Sequence, residues 1–444
     1  MSQTSSHAPS RKPRCLTASQ IAKDSGHFDQ WSQYQNLVVG SYDVDLPVAL
    51  ESDVEGVFNV SMRLPEAWVT PNKTMQAGLV KYLDPDFVQF LRSAKKSSPS
   101  LFSEKVKAVE SGHLLCDLHN VFLAFNRLHK LRDSGSWSEA DWAAQVYNVL
   151  RISVGQLSDN RSHCSISLPQ PLSEHKANKK ATSNLNARTI RPDGSLFIPA
   201  DRLTELSETV QSPFNFLARH PNANNSVSHG GTSSFKWQST LCSKLPACPG
   251  FEIASSFWED KKPEQKVLEV AYRQNRMATT AALRQLHALN IHAPIFGLVW
   301  SEGTVRAHVD WWQEEADVFT IVSAPYPGPQ KRSTGRKNPF HDWDLSKPAD
   351  IIEVYLLLRN LDRWTVEGFR TRVMGGIMSL VEEVSQRDRR VLQWRRRGSL
   401  GGRVSRTDDA AEEPEPESIS SPMKPRARAK SATKAKRRTT RRGV

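Results

Sequence analysis

Residues 257–312 read FWEDKKPEQKVLEVAYRQNRMATTAALRQLHALNIHAPIFGLVWSEGTVRAHVDWW. The apolar run from Phe251 to Trp258 predicts a strand that leads into Glu259-Asp260-Lys261-Lys262. Pro263 then stands near the start of a helix reaching about Leu289, where its missing N–H costs nothing. Val267, Ala271, Gln274, Ala278, Gln285 and Leu289 form one stripe of that helix, so Gln274 needs a hydrogen-bond partner. Beyond the helix the pattern changes to period two. Ile295–Trp300, a Ser-Glu-Gly turn and Thr304–Val309 predict a hairpin, and Asp317–Ser323 predicts a third strand. Strand, helix, strand and hairpin together predict an α/β fold with a central mixed sheet flanked by helices.

Upstream, Ile190-Arg-Pro-Asp-Gly194 reads as a turn and Ser195–Ile198 as a strand. A helix is expected from about Ser103, as N-cap, to Arg132, with Leu114, Leu115, Leu118, Val121, Phe122, Phe125 and Leu128 at helical spacing. A second helix starts at Ser138, with Asp141 completing a capping box and Trp142, Val146 and Leu150 on one face. Short β-like pieces are expected at Leu37–Val39 and Val57–Val60, and two closing helices at 346–360 and 365–397. This divides the chain into a disordered lead (1–28), a mostly helical N-terminal region (29–134), a core (135–325) with an insertion at 201–248, a helical extension (326–397) and a disordered tail (398–444).

The chain has 444 residues, 38% hydrophobic and 24% charged, enough for a sizeable core with part of the chain unfolded. Lys and Arg number 60 against 47 acids, a net charge of +13, of which ten positive charges fall after Met423. The basic balance is therefore mainly a tail property, which excludes a uniformly basic, histone-like protein. Five scattered cysteines do not make a disulfide scaffold, and Cys242 and Cys248 are too far apart for a zinc knuckle, so a reducing compartment fits. No apolar run is long enough for a membrane span, and the polar start lacks a secretory h-region.

Phosphodiester hydrolysis assisted by a metal needs carboxylates converging on a divalent cation, and a cationic group near the attacking water. Two or three carboxylates suffice for Mg²⁺, which keeps several waters. Asp193 at one strand end and Glu259 on its neighbour would supply them, with Lys261 on the same strand face as Glu259. Simpler readings exist for each. Asp193-Gly194 suits any turn, and Glu259, Asp260 and Glu264 suit a helix N-terminus. Glu139 also suits a first helical turn, and Glu252 offers a second strand register without a lysine two residues on. His308 and Asp310 share a strand face, and Trp311 and Trp312 suit core or base stacking.

In these residues the chain resembles the PD-(D/E)XK nuclease superfamily. Arg191–Gly194 looks like its Pro-Asp element, Phe257–Lys262 like its Glu-x-Lys strand end, and the helix bearing Gln274 and Arg276 like the segment that follows. Residues 257–312 are similar to fungal nuclease-like regions, including those preceding fungal-type protein kinase domains, although no kinase loop is found here. The resemblance covers roughly 135–325 and departs from the family in the long separation between the two motifs. It implies a restriction-endonuclease-like sheet and hydrolysis of DNA. Asp193 and Glu259 would hold Mg²⁺ or Mn²⁺, Lys261 would position or activate water, and Gln274 and Glu139 would support them. The tail residues Lys424, Arg426, Arg428, Lys430, Lys434, Lys436, Arg437 and Arg438 suit contact with nucleic acid or the nuclear import machinery. A nuclear location follows from that reading. The alternative is an inactive nuclear scaffold that binds nucleic acid or protein through the tail.

Overall fold

The strand predicted at Phe251–Trp258 is the fifth in order across an eight-stranded mixed sheet, and it runs further than expected, through Lys261. The computed structural model describes residues 15–70, 84–107, 111–134, 137–152, 155–172, 184–223, 234–261, 265–329, 339–387 and 389–395. All fall in the unit Met1–Gly398. The tail residues 424–438, residues 1–14 of the lead, and Lys262, Pro263 and Glu264 lie outside the described residues, whereas the rest of the lead, expected disordered through residue 28, is largely helical and buries Ile21, Ala22 and Phe28.

The sheet strands are β1 (Leu37–Val39), β2 (Asp159–Ser162), β3 (Gly194–Phe197), β4 (Ala254–Lys261), β5 (Ile295–Ser301), β6 (Thr304–Glu315), β7 (Val318–Pro325) and β8 (Trp343–Asp344). Their order is β1-β7-β6-β5-β4-β3-β2, with β8 paired to β6. Strands β2, β3 and β4 form an antiparallel meander, and β4 and β5 run parallel. Parallel neighbours need a long crossover. Helix α7 (Gln265–Ala288) supplies it, after α1 (Ala18–Lys23), α2 (Ser25–Tyr34), α3 (Val48–Phe58), α4 (Pro85–Ser97), α5 (Gly112–Ser134) and the run α6. Run α6 covers 139–152 and contains a π-helical turn at Ala143–Tyr147. Helices α8 (Pro348–Trp364) and α9 (Arg370–Gln386) close the fold.

Both faces of β4 and β5 are covered, so every residue from Ala254 to Asp260 and from Ile295 to Ser301 is buried. On one face, α7 presents small residues such as Ala278, Ala281 and Ala282 to the core. Its Asn275 amide donates to the Phe257 and Leu298 carbonyls, at 3.1 and 3.3 Å, and so ties β4 to β5. On the other face Trp258 and Trp300 flank Arg151 of α6. The expected capping box is present: Ser138 and Asp141 exchange side-chain to backbone hydrogen bonds at the start of α6.

Several local expectations change. Val57 and Phe58 belong to α3, where Leu50, Val54, Val57 and Phe58 make one buried helical stripe, rather than to a strand. The long helix α5 begins at Gly112, because Phe102–Ser103 pairs in parallel with Leu64–Pro65. The last helix ends at Gln386, and residues beyond it are held by other bonds. Gln238 accepts from the Trp394 N–H, and Arg395 donates to the carbonyls of Thr240 and Cys242. Among the described residues no helix is long and apolar enough to cross a membrane.

Gly194 begins β3 opposite Trp258. A Cβ there would press into the Trp258 indole ring. Gly194→Ala is therefore expected to cost about 1–3 kcal/mol through overpacking. Urea denaturation of the variant checks this, and an unchanged midpoint would show that the ring moves aside freely.

Candidate active site

Continuing the β3–β4 register past Gly194 and Trp258 sets Asp193 across from Glu259. Asp193 is fixed from both ends. Its N–H donates to the Trp258 carbonyl at 3.0 Å, and its Oδ2 accepts from the Asp260 N–H at 2.6 Å. Glu259 and Lys261 share a strand face, as period two requires, and the Lys261 Nζ donates to Glu259 Oε1 at 2.7 Å. Because β4 extends through Lys261, the reading of Glu259 and Asp260 as a helix N-terminus is replaced by a strand end. The site is closed at one side and open at the other: the Glu259 side chain is 3% exposed, against 18% for Lys261 and 19% for Asp193. His163, a loop residue after β2, brings Nδ1 to 3.5 Å from Asp193 Oδ1.

Burial pushes the Glu259 carboxyl up to about 8; the Lys261 charge opposes that rise and the Asp193 charge adds to it. Asp193 is also raised, by burial first and then by the neighbouring Asp260 carboxylate. Burial alone would lower Lys261, but the charges of Glu259 and Asp193 outweigh it and hold the ammonium protonated. The Glu139 charge adds to that effect, so the head of α6 lies within electrostatic reach of Lys261. Gln274 is turned elsewhere. It lies on α7, and its amide donates to the Ser19 hydroxyl of α1 at 3.2 Å.

The opposite face of β4 carries a pair that sequence reasoning missed. Asp260 takes a two-pronged ion pair from Arg151 of α6, at 2.5 and 2.9 Å, with both side chains buried. The Arg151 guanidinium lies 4.6 Å from the Trp300 ring and 5.0 Å from Trp258. Period two puts Asp260 on the face away from Glu259, and a buried aspartate needs a cation. That much was legible; which cation was not. The other candidates serve structure. Glu252 precedes β4, receives Arg161 at 2.5 Å and accepts from the Cys242 N–H. His308 and Asp310 are wholly buried and bonded to each other at 2.7 Å. Trp311 and Trp312 are buried too, and the Trp312 indole donates to the Ile291 carbonyl, so neither ring is open to a base.

A hard divalent cation fits the donor set. Glu259 Oε2 is buried and has no hydrogen-bond partner among the described residues, an arrangement that normally costs a carboxylate dearly. The Asp193 charge raises the proton affinity of Glu259, and a cation held by both would relieve that repulsion. The described residues contain no cluster of three His, Cys, Asp or Glu side chains placed for a metal, so waters or substrate oxygens would complete the shell. Comparison of the chain with models of protein families and with curated proteins finds no match.

The raised Glu259 pKa gives stability a direction with pH. Folded Glu259 keeps its proton to about pH 8, whereas the unfolded residue loses it near 4.5. Between those values the unfolded state binds fewer protons, so stability falls as pH rises and levels off above about 8. The slope from this one group is at most about 1.4 kcal/mol per pH unit. Glu259→Gln is expected to flatten this part of the profile in chelator-treated protein, as read by urea denaturation between pH 5 and 8. Parallel profiles for the two proteins would contradict it.

Proposed function

We propose that this chain is a divalent-metal-dependent nuclease, or a nuclease-like protein of PD-(D/E)XK type, that acts on DNA by phosphodiester hydrolysis. The observation that carries the reading is the meeting of Asp193, Glu259 and Lys261 at the ends of β3 and β4, with a buried Glu259 oxygen left unpartnered. The order helix, Pro-Asp turn, strand, Glu-x-Lys strand, helix, strand supports it. Asp193 and Glu259 would hold Mg²⁺ or Mn²⁺. Such an ion, when bound, lowers the pKa of a coordinated water and stabilises charge growing on the phosphate.

The chain's own groups do the rest. Lys261 is held as an ammonium by the Asp193 charge, and by Glu259 once that carboxyl has lost its proton, so it donates hydrogen bonds and positive charge; it orients water or a phosphate oxygen and does not take a proton. The Asp260 N–H fixes the Asp193 carboxylate, which keeps one oxygen directed away from that bond. Glu259 gives up its proton on cation binding, so affinity for the cation is expected to rise with pH up to about 8. Glu139 adds negative charge near Lys261, and Gln274 supports α7 through Ser19 in this reading.

The test is cleavage of plasmid and linear DNA by purified protein with Mg²⁺, with Mn²⁺ and with chelator. Metal-dependent cleavage that disappears in Asp193→Asn supports the reading. Equal background cleavage by both proteins would overturn it. A second reading, a nuclear scaffold, is favoured by the ten positive charges after Met423. Truncation at Gly398 separates the two: it would remove DNA binding by a scaffold and leave a nuclease its metal-dependent cleavage.

A further inference from the structure

Two cysteines meet at the edge of the sheet although the sequence holds them far apart. The loop after β2 runs antiparallel to the segment before β4. Ile166 bridges Cys242, the Ser243 N–H donates to the Ser165 carbonyl at 2.7 Å, and the Ser167 N–H donates to the Leu241 carbonyl at 3.0 Å. This register makes Cys164 and Cys242 diagonal neighbours across the two segments. Each of the two thiols is the neighbour that most shifts the other's proton affinity, Cys164 downward and Cys242 upward. Each sulfur also has a polar neighbour: Ser195 Oγ lies 3.0 Å from Cys164, and an Arg161 guanidinium nitrogen lies 3.9 Å from Cys242. Glu252 holds Arg161 there and accepts the Cys242 N–H at 2.9 Å. Both thiols are reduced and half-buried, within reach of a small oxidant.

We propose that Cys164 and Cys242 form a peroxide-reactive dithiol that closes to a reversible disulfide, with Cys164 as the attacking sulfur and Cys242 as the resolving one. In the first step Cys164 Sγ attacks one oxygen of hydrogen peroxide and the O–O bond breaks. The departing hydroxide takes a proton and leaves as water, and Cys164 becomes a sulfenic acid. Cys242 Sγ then attacks Cys164 Sγ, the S–O bond breaks, and a second water leaves with the Cys242 proton. Two thiols lose two protons and two electrons, and the peroxide gains them to become two waters. The assignment of roles follows from the neighbours of each thiol. With Cys242, Ser195 and Arg161 around it the Cys164 thiol is brought down to about 7, while Cys164 and burial push the Cys242 thiol up. A thiolate is the reactive form. Cys164 adjoins His163, whose ring faces Asp193, but the dithiol stands whether or not the chain cleaves DNA.

The experiment uses the full chain in which the exposed Cys15, Cys116 and Cys248 are replaced by serine. It is treated with hydrogen peroxide, blocked with an alkylating agent, digested and read by mass spectrometry. A linked Cys164–Cys242 peptide pair, lost on addition of dithiothreitol, is expected. In Cys242→Ser the sulfenic acid should persist on Cys164 and react with dimedone. In Cys164→Ser the rate of thiol loss should fall at least tenfold. Two freely alkylated thiols after peroxide treatment would overturn the proposal. So would oxidation of each cysteine to sulfinic acid with no linked peptide. Equal dimedone labelling at Cys242 and Cys164 in the single variants would overturn the assignment of roles.

Discussion

In the proposed nuclease, Lys261→Ala is expected to lower metal-dependent DNA cleavage by about 10²–10³-fold, the usual cost of removing one preorganised donor from developing negative charge. Its ammonium is held 2.7 Å from Glu259 Oε1 at the exposed edge of the site, so its loss leaves the β3–β4 pairing intact. The same change removes the cation that opposes the upward shift of Glu259. The carboxyl should therefore keep its proton to a higher pH, and apparent metal affinity at neutral pH should also fall. Cleavage rate against metal concentration and pH separates the two effects. Lys261→Arg should restore part of the charge effect and less of the cleavage, because a planar guanidinium cannot take the place of a compact ammonium. Wild-type cleavage by Lys261→Ala would remove the lysine from the reaction.

Arg151→Ala is expected to destabilise the fold by about 3–5 kcal/mol, because it leaves Asp260 as an uncompensated buried charge. The guanidinium also stacks near Trp258 and Trp300, so the loss includes packing. The effect should reach the candidate site, since the Asp260 N–H holds the Asp193 carboxylate. Asp260→Asn leaves the backbone donor in place and removes only the charge, so it should cost stability while sparing that hydrogen bond. Replacing both partners together, with Arg151→Met and Asp260→Leu, should recover most of the stability. Urea denaturation of the wild type, the two single variants and the Arg151→Ala/Asp260→Asn double variant measures the coupling directly. If Arg151→Ala and Asp260→Asn add without coupling, the pair is not the unit described.

Several elements were legible because their signals are local. The hairpin of β5 and β6 follows from period two and a short turn, and the capping box at Ser138 and Asp141 from spacing alone. Glu259 and Lys261 shared a face as soon as β4 was extended through both. Local signals also misled. Val57-Phe58 looks β-like in isolation, but Leu50 and Val54 at helical spacing bury it on α3. Ser103 looks like an N-cap, but its segment is taken by pairing with Leu64–Pro65. In each case a nearby chain segment offered more burial or more backbone pairing than local preference could.

The sequence by itself determined the mixed α/β class, the strand face shared by Glu259 and Lys261, and the turn that carries Asp193. Those features depend on periodicity and on residues a few positions apart. Only the tertiary structure decided that Asp193 stands across from Glu259, that Arg151 neutralises Asp260, that Gln274 turns to Ser19, and that Cys242 lies one diagonal from Cys164. Each of those partners lies far away in sequence. The partner of a buried charge or thiol is chosen by which elements the sheet order brings side by side, and no local spacing carries that information.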